Sequence, residues 1–287
     1  MEKFALLTGM GSNSLARAIA SALLHSGYSV VAATEGDFEA GSDARNAFES
    51  SDPKHSDIIY ESADFSSGDG IDDLVRRASI RDYDVLVNCT TVLALSGDQL
   101  RNEGFDFSYD EFNRVLQTSV SSVAALCFGL ATRIRAGGSI INVTSSAGKE
   151  GGFATISYNA SKAAIDNLTK SLANVLGPSR GIHVNGLAPG WIPPSADAAS
   201  GGIIALANAL TPSLEIGQAE DAAKAALYLI NSKFHNGTIL PLDGGISSSY
   251  LPYMLESLEL NGEPVKASID SIAALAADAK SRFRPRS

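Results

Sequence analysis

The chain has 287 residues, 45% hydrophobic and 19% charged, which suits one large α/β domain or two small ones and a core that needs no staples. A formal net charge of −10 argues against a nucleic-acid partner. No apolar run approaches the ~18 residues needed to span a bilayer, the N-terminus carries no signal-peptide pattern, and Cys89 and Cys127 form no CxxC pair. The expectation is a cytoplasmic protein with buried reduced thiols and no membrane contact.

Strand-length apolar runs alternate with helical periods along the chain. Residues 4–7 read as a first strand, followed by TGMGSNSLARAIA, in which Leu15, Ile19 and Leu23 recur at helical spacing. A second strand is expected at 28–33. Residues 36–56 are polar and irregular, with a short helix at 44–48. Further strands are expected at 57–63, 85–88, 139–144, 182–187 and 238–240. Helices are expected at about 109–130 and 156–176, the latter with a stripe of Ile165, Leu168, Leu172, Val175 and Leu176. A last helix carries Ala223, Leu227 and Ile230.

Such alternation predicts a Rossmann-type, doubly wound α/β fold with about seven parallel strands and helices on both faces, a single domain over 1–248. Residues 190–212 open with proline-rich turn chemistry and read as a substrate lid. Residues 249–287 read as a C-terminal helical extension, because Ile269, Ile272, Leu275 and Ala276 have helical spacing.

In an open parallel sheet, ligands bind beyond the carboxyl ends of the strands. Gly9 would permit a tight turn there, Gly11 would let backbone approach a pyrophosphate, and a helix starting near Ser14 would aim unpaired N–H groups at phosphates. Ser12, Asn13 and Ser14 can all cap that helix. Taken alone, the loop is equally consistent with a capped strand-to-helix turn. A second stretch, SSAGKEGGFATISYNASKAAI, places Tyr158 and Lys162 four apart on one helical face, with Ser145 thirteen residues before the tyrosine. A phenol is a poor acid–base group near neutrality. A neighbouring ammonium stabilises its phenolate, and a serine hydroxyl can hold a substrate oxygen beside it, so the trio can move a proton to or from an alcohol or ketone oxygen.

Together these segments resemble the short-chain dehydrogenase/reductase family over roughly residues 3–248. The resemblance is carried by Thr8-Gly9, by Asp64 after strand three, by Asn88, by SIINVTSSAG ending in Ser145, by YNASK, by IHVNGLAPGWI with Pro189-Gly190, and by NGTILPLDGG. It implies an NAD(P)-dependent oxidoreductase interconverting an alcohol and a ketone on a small or mid-sized organic substrate. Tyr158 is then the general acid/base, Lys162 stabilises the phenolate and holds the nicotinamide ribose, and Ser145 orients the substrate oxygen. Ile192 binds the carboxamide through its backbone N–H. Thr8, Gly9, Gly11, Ser12, Asn13, Ser14 and Leu15 form the pyrophosphate loop; Asp64, Phe65 and Asn88 belong to the adenosine side, and Trp191 to the substrate mouth. The family's paired helices imply a homodimer or homotetramer.

Four departures accompany the resemblance. The glycine loop is one residue longer than usual, with Ser14 and Ala16 at glycine positions. Its Ser-Leu-Ala end resembles the divergent enoyl-reductase branch, whose longer Tyr-to-Lys spacing is absent here. The segment after Asn88 is Cys89-Thr90-Thr91, without the usual glycine. Ser119 stands where the family has a catalytic asparagine, and Pro193-Pro194 follows PGWI. These departures keep two other readings open: a non-redox catalyst such as a dehydratase, isomerase or cyclase, and a nucleotide-binding pseudoenzyme. Glu35, just after strand two, would repel a 2′-phosphate and accept from ribose hydroxyls, which favours NAD(H), with NADP(H) as the alternative. His25, His55, His183 and His235 are scattered and predict no metal site.

Overall fold

The computed structural model describes residues 2–11, 13–35, 42–90, 92, 108–150, 156–193, 207–208, 211–213, 215–248, 259–260 and 263–264. Seven strands form one parallel sheet: β1 (Lys3–Thr8), β2 (Tyr28–Thr34), β3 (Ile58–Ser62), β4 (Tyr83–Asn88), β5 (Ile134–Val143), β6 (His183–Pro189) and β7 (Ile239–Leu242). Their order is β3-β2-β1-β4-β5-β6-β7, and every neighbouring pair is parallel. The fold is the predicted Rossmann-type α/β sheet.

Helices cover both faces: α1 (Ser14–His25), α2 (Asp43–Ser51), α3 (Gly68–Ala78), α4 (Tyr109–Leu116), α5 (Ser122–Gly129), α6 (Ile156–Arg180) and α7 (Ala219–Asn231). Strand alternation sorts side chains between two cores. Ala5, Leu7, Val30, Ala32, Val85 and Val87 meet Leu15 and Ile19 of α1 and Ala222 and Ala226 of α7. Leu6, Val31, Leu86 and Ile140 meet Ile71 and Leu74 of α3, Leu126 of α5 and Leu172 of α6. Both faces are covered, which is why these strands read as continuous apolar runs.

Several elements differ from the sequence expectation. Helix α3 was not among the expected elements. Its signals are Ser67, whose hydroxyl accepts from Gly70 N at 3.1 Å, and the buried residues Ile71, Leu74 and Ala78 at helical spacing. Strand β5 starts at Ile134, before the glycine pair, because Tyr83 of β4 pairs with Ile134 across a local irregularity. The helix expected over 109–130 is interrupted by a π-helical turn at Gln117–Ser121. Val175 is 54% exposed and leaves the predicted stripe; Ala173 packs inward with Leu172 and Leu176. In α7, Leu229 is fully buried and Leu227 only partly so.

Beyond β7, Glu259–Leu260 (β8) pairs antiparallel with Glu263–Pro264 (β9). The helix expected around 269–276, most of the lid at 190–212, and Ser12 lie outside the described residues. Among the described residues no helix is long and apolar enough to cross a membrane.

Candidate active site

The strand order reverses between β1 and β4, and a cleft of about 310 Å³ opens beyond their carboxyl ends. Gly9 shapes its floor. Its φ is +81°, and a Cβ there would lie 2.8 Å from the carbonyl carbon of Cys89 and the nitrogen of Thr90. Only glycine fits that backbone conformation and that approach of β1 to β4. Thr8 locks the same junction: its hydroxyl oxygen accepts from Cys89 N at 3.0 Å and Thr90 N at 3.1 Å. Thr8 is fully buried and absent from the lining of the cleft, and its hydroxyl pins the two strands.

The long loop is held by its own polar groups. Asn13 caps α1, accepting from Leu15 N at 3.0 Å, while its amide nitrogen donates to Cys89 O and Sγ at 3.4 and 3.3 Å. Ser14 donates to the carbonyl of Pro193 at 2.8 Å, tying the helix start to the segment after β6. The Arg17 guanidinium turns back onto the carbonyls of Met10 and Gly11. Ala16, at a glycine position of the family pattern, packs wholly into the core. Gly11, Asn13, Ser14 and Leu15 all line the cleft, as do Pro189, Gly190, Ile192 and Pro193 across from them.

Ser145, Tyr158 and Lys162 converge on this cleft. Ser145 follows β5 and accepts from Ala147 N at 3.2 Å, which caps a 3-10 turn at Ser146–Gly148. Gly148 lets that turn press against α6: a Cβ there would lie 3.0 Å from the carbonyl carbon of Lys162. Lys162 is 2% exposed, donates to the carbonyl of Val143 at 3.0 Å, and holds its Nζ 5.4 Å from the centre of the Tyr158 ring. A buried ammonium beside a phenol and a serine hydroxyl can stabilise a phenolate and position an oxygen for proton transfer. One turn on, Asp166 is also buried, and burial pushes its carboxyl above the ordinary carboxylate range.

Other predicted site residues fall elsewhere. Asn88 is buried, and its amide donates to Asn142 Oδ1 at 2.8 Å; Asn142 in turn donates to Thr169 Oγ1 at 2.9 Å. This polar ladder ties β4 to β5 and α6, so the Asn88 side chain braces the sheet beneath the cleft and is absent from its lining. The Phe65 ring is fully buried in the α3-side core. Ser119 sits in the π turn, fully buried, and its hydroxyl has no hydrogen-bond partner among the described residues; it does not reach the cleft. Trp191 lines a separate cavity with Tyr228 and Asp243, and its carbonyl accepts from Gly217 N at 3.0 Å. Cys89 does line the cleft, but burial pushes its thiol up to about 12, which keeps it neutral and poorly nucleophilic.

Glu35, at the end of β2, borders both the cleft and a second cavity of about 410 Å³. Asp64 also lines this second cavity. Its carboxylate accepts from the hydroxyls of Ser66 and Ser67 at 2.6 Å each and from Ser66 N at 2.8 Å; these bonds hold it below the ordinary carboxylate range. Ser62, Ala63, Ser66, Val92, Arg114 and Thr118 complete the wall and were not anticipated from the sequence. The four-residue spacing of Arg114 and Thr118 on one helical face was the available signal.

A sequence-family model described as enoyl-(acyl carrier protein) reductase matches residues 9–247. An uncharacterized oxidoreductase of Escherichia coli, YgfF, is 30% identical over 257 residues, covering 84% of this chain and 98% of that protein. The 3-oxoacyl-(acyl-carrier-protein) reductase FabG of Chlamydia muridarum is 31% identical over 218 residues, covering 73% and 84%. A solved short-chain dehydrogenase/reductase from Serratia marcescens superposes with a TM-score of 0.73 at 26% identity, covering 85% of this chain and 98% of the other.

Proposed function

The chain belongs to the short-chain dehydrogenase/reductase family and is a dehydrogenase/reductase of that type, and from this premise we propose that it interconverts an alcohol and a ketone on a small or mid-sized organic substrate with a nicotinamide dinucleotide. One observation carries the reading: Ser145, Tyr158 and Lys162 share a single cleft with the glycine loop of β1 and the start of α1. The lining supports the dinucleotide: Gly9, Gly11, Asn13 and the start of α1 at Ser14 and Leu15 border the cleft, and a helix N-terminus suits phosphates.

When bound, the nicotinamide would donate or accept the hydride. Gly9, Gly11, Asn13 and Ser14 would hold the pyrophosphate, and the Ile192 N–H the carboxamide. Ser145 accepts from Ala147 N, so its own proton is available to a substrate oxygen. Tyr158 would give a proton to a ketone oxygen in reduction and take one from an alcohol in oxidation. Lys162 keeps donors beyond the one spent on Val143 O, and these would meet the nicotinamide ribose and stabilise the phenolate. NAD(H) is favoured over NADP(H), because Glu35 borders the cleft where a 2′-phosphate would sit and Arg17 is engaged by the loop carbonyls.

Following nicotinamide absorbance across a panel of ketones and secondary alcohols tests this reading, with Tyr158→Phe as control. Turnover in the wild type and its loss in the variant are expected; substrate conversion without an absorbance change would instead establish the non-redox reading. That second reading draws on Ser119, whose buried hydroxyl replaces the family's asparagine.

The assembly we propose is a homodimer or homotetramer through α4–α6. Tyr109, Phe128, Ile156 and Val175 on these helices are each more than half exposed, an apolar surface of the kind a second copy would cover. Light scattering on the purified protein measures it.

A further inference from the structure

We propose that Arg114 is the side chain that holds the adenine ring, acting as a cationic cover over the far end of the dinucleotide site. This inference rests on the dinucleotide reading above and adds to it a residue that reads the adenosine half.

The second cavity shares Glu35 with the catalytic cleft, so the two are neighbours at the end of β2. Its volume of about 410 Å³ lies in the range of small-molecule pockets. Arg114 is the single cation among the described residues that line it. Most other arginines are committed: Arg45, Arg76, Arg77, Arg133 and Arg135 each meet a carboxylate, and Arg17 meets backbone carbonyls. Arg114 is exposed and its guanidinium makes no hydrogen bond or ion pair among the described residues, although Glu35 and Asp64 border the same cavity. Asp64 is spent on Ser66 and Ser67.

The position of Arg114 is fixed by the backbone. It stands on α4 one turn before Thr118, and both face the cavity. The carbonyl of Arg114 accepts from Gln117 N at the entry to the π turn, so the helix presents the guanidinium from a defined anchor. A guanidinium is planar and weakly hydrated, and it stacks on aromatic faces as well as pairing with anions. The charge of the cavity decides between those uses. Two carboxylates outweigh one arginine, so the site does not favour a phosphate dianion, and a neutral aromatic ring is the better occupant.

Titration of wild type, Arg114→Ala and Arg114→Lys with NADH, NADPH and reduced nicotinamide mononucleotide, which lacks the adenosine half, tests the inference. Arg114→Ala should weaken NADH about fivefold to tenfold and leave the mononucleotide unchanged, with Arg114→Lys recovering less than half of the loss. Three outcomes overturn it: NADH affinity of Arg114→Ala within about twofold of wild type, an equal loss for the mononucleotide, or a loss confined to NADPH, which would make Arg114 a phosphate ligand. If the wild type binds neither dinucleotide, the dinucleotide reading itself fails, an outcome distinct from an indifferent Arg114→Ala in a wild type that binds.

Discussion

The Lys162 ammonium lies 5.4 Å from the centre of the Tyr158 ring while donating to the carbonyl of Val143 at 3.0 Å. The bond to Val143 fixes a long, flexible side chain against the strand that ends in Ser145, so the charge stays beside the phenol. On this arrangement Tyr158→Phe removes the proton donor and little else. The expected result is a fall in kcat of about 10²–10⁴-fold, with cofactor Kd within about twofold of wild type. Steady-state kinetics and a binding titration measure the two separately. A Tyr158→Phe enzyme with near-normal kcat would remove Tyr158 from the mechanism.

Gly9→Ala tests the turn under the cleft. The φ of +81° and the 2.8 Å approach to Cys89 both oppose a side chain. A cost of roughly 2–4 kcal/mol is expected, read as a lower melting temperature together with weaker cofactor binding. A variant that melts like wild type would mean that the turn has room to relax.

Thr8→Val and Thr8→Ser separate a pin from a ligand contact. Valine leaves the N–H groups of Cys89 and Thr90 without their acceptor, at about 1–3 kcal/mol, while serine keeps it. The loss of stability in Thr8→Val should exceed any direct change in cofactor affinity. Thermal melts of the pair decide this, and equal stability of the two variants would contradict it.

Ser119→Ala removes a buried hydroxyl with no partner among the described residues. Stability is therefore expected to stay level or rise by up to about 1 kcal/mol. If the hydroxyl serves the proton path as the family's asparagine does, kcat falls several-fold while the melting temperature holds. Unchanged kcat would leave Ser119 with a packing role only.

Asp166→Asn yields a pH-dependent prediction. Burial pushes the Asp166 carboxyl up, against a hydrogen bond from Thr144 and the charges of Lys170, Lys149 and Lys162. A raised folded-state value means that the protonated form favours the fold. Its contribution is fully present below the unfolded value of about 4 and is lost as pH rises through the folded value. Asparagine escapes this titration. Asp166→Asn should melt roughly 2–4 °C above wild type near neutral pH, the shift that ~1 kcal/mol gives a domain of this size, and match it in acid. A lower melting temperature at neutral pH would show the carboxylate to be a stabilising partner of those lysines.

The sheet was legible because its strands are covered on both faces and so carry uninterrupted apolar runs, such as Ala5–Leu7 and Val30–Ala33. The convergence of Ser145, Tyr158 and Lys162 on one cleft was legible because two of them share a helix, where spacing fixes relative position. Less legible were residues whose side chains point away from the cleft. Thr8, Asn88 and Phe65 stand at family positions, yet their side chains pin strands or fill core. Trp191 follows Gly190 directly, yet it lines the cavity beside Tyr228 and Asp243 and not the cleft, a difference that its place in the sequence does not fix. Arg114 was missed because an exposed arginine on a polar helix face resembles ordinary solvation until the cavity beside it is seen.

Equilibrium titration of the purified protein with NADH and NADPH, followed by nicotinamide fluorescence, tests the central claim most directly. Saturable binding of NADH, with NADPH weaker, is the predicted result. Binding of neither would contradict the assignment of the Gly9–Tyr158–Lys162 cleft as a nicotinamide dinucleotide site.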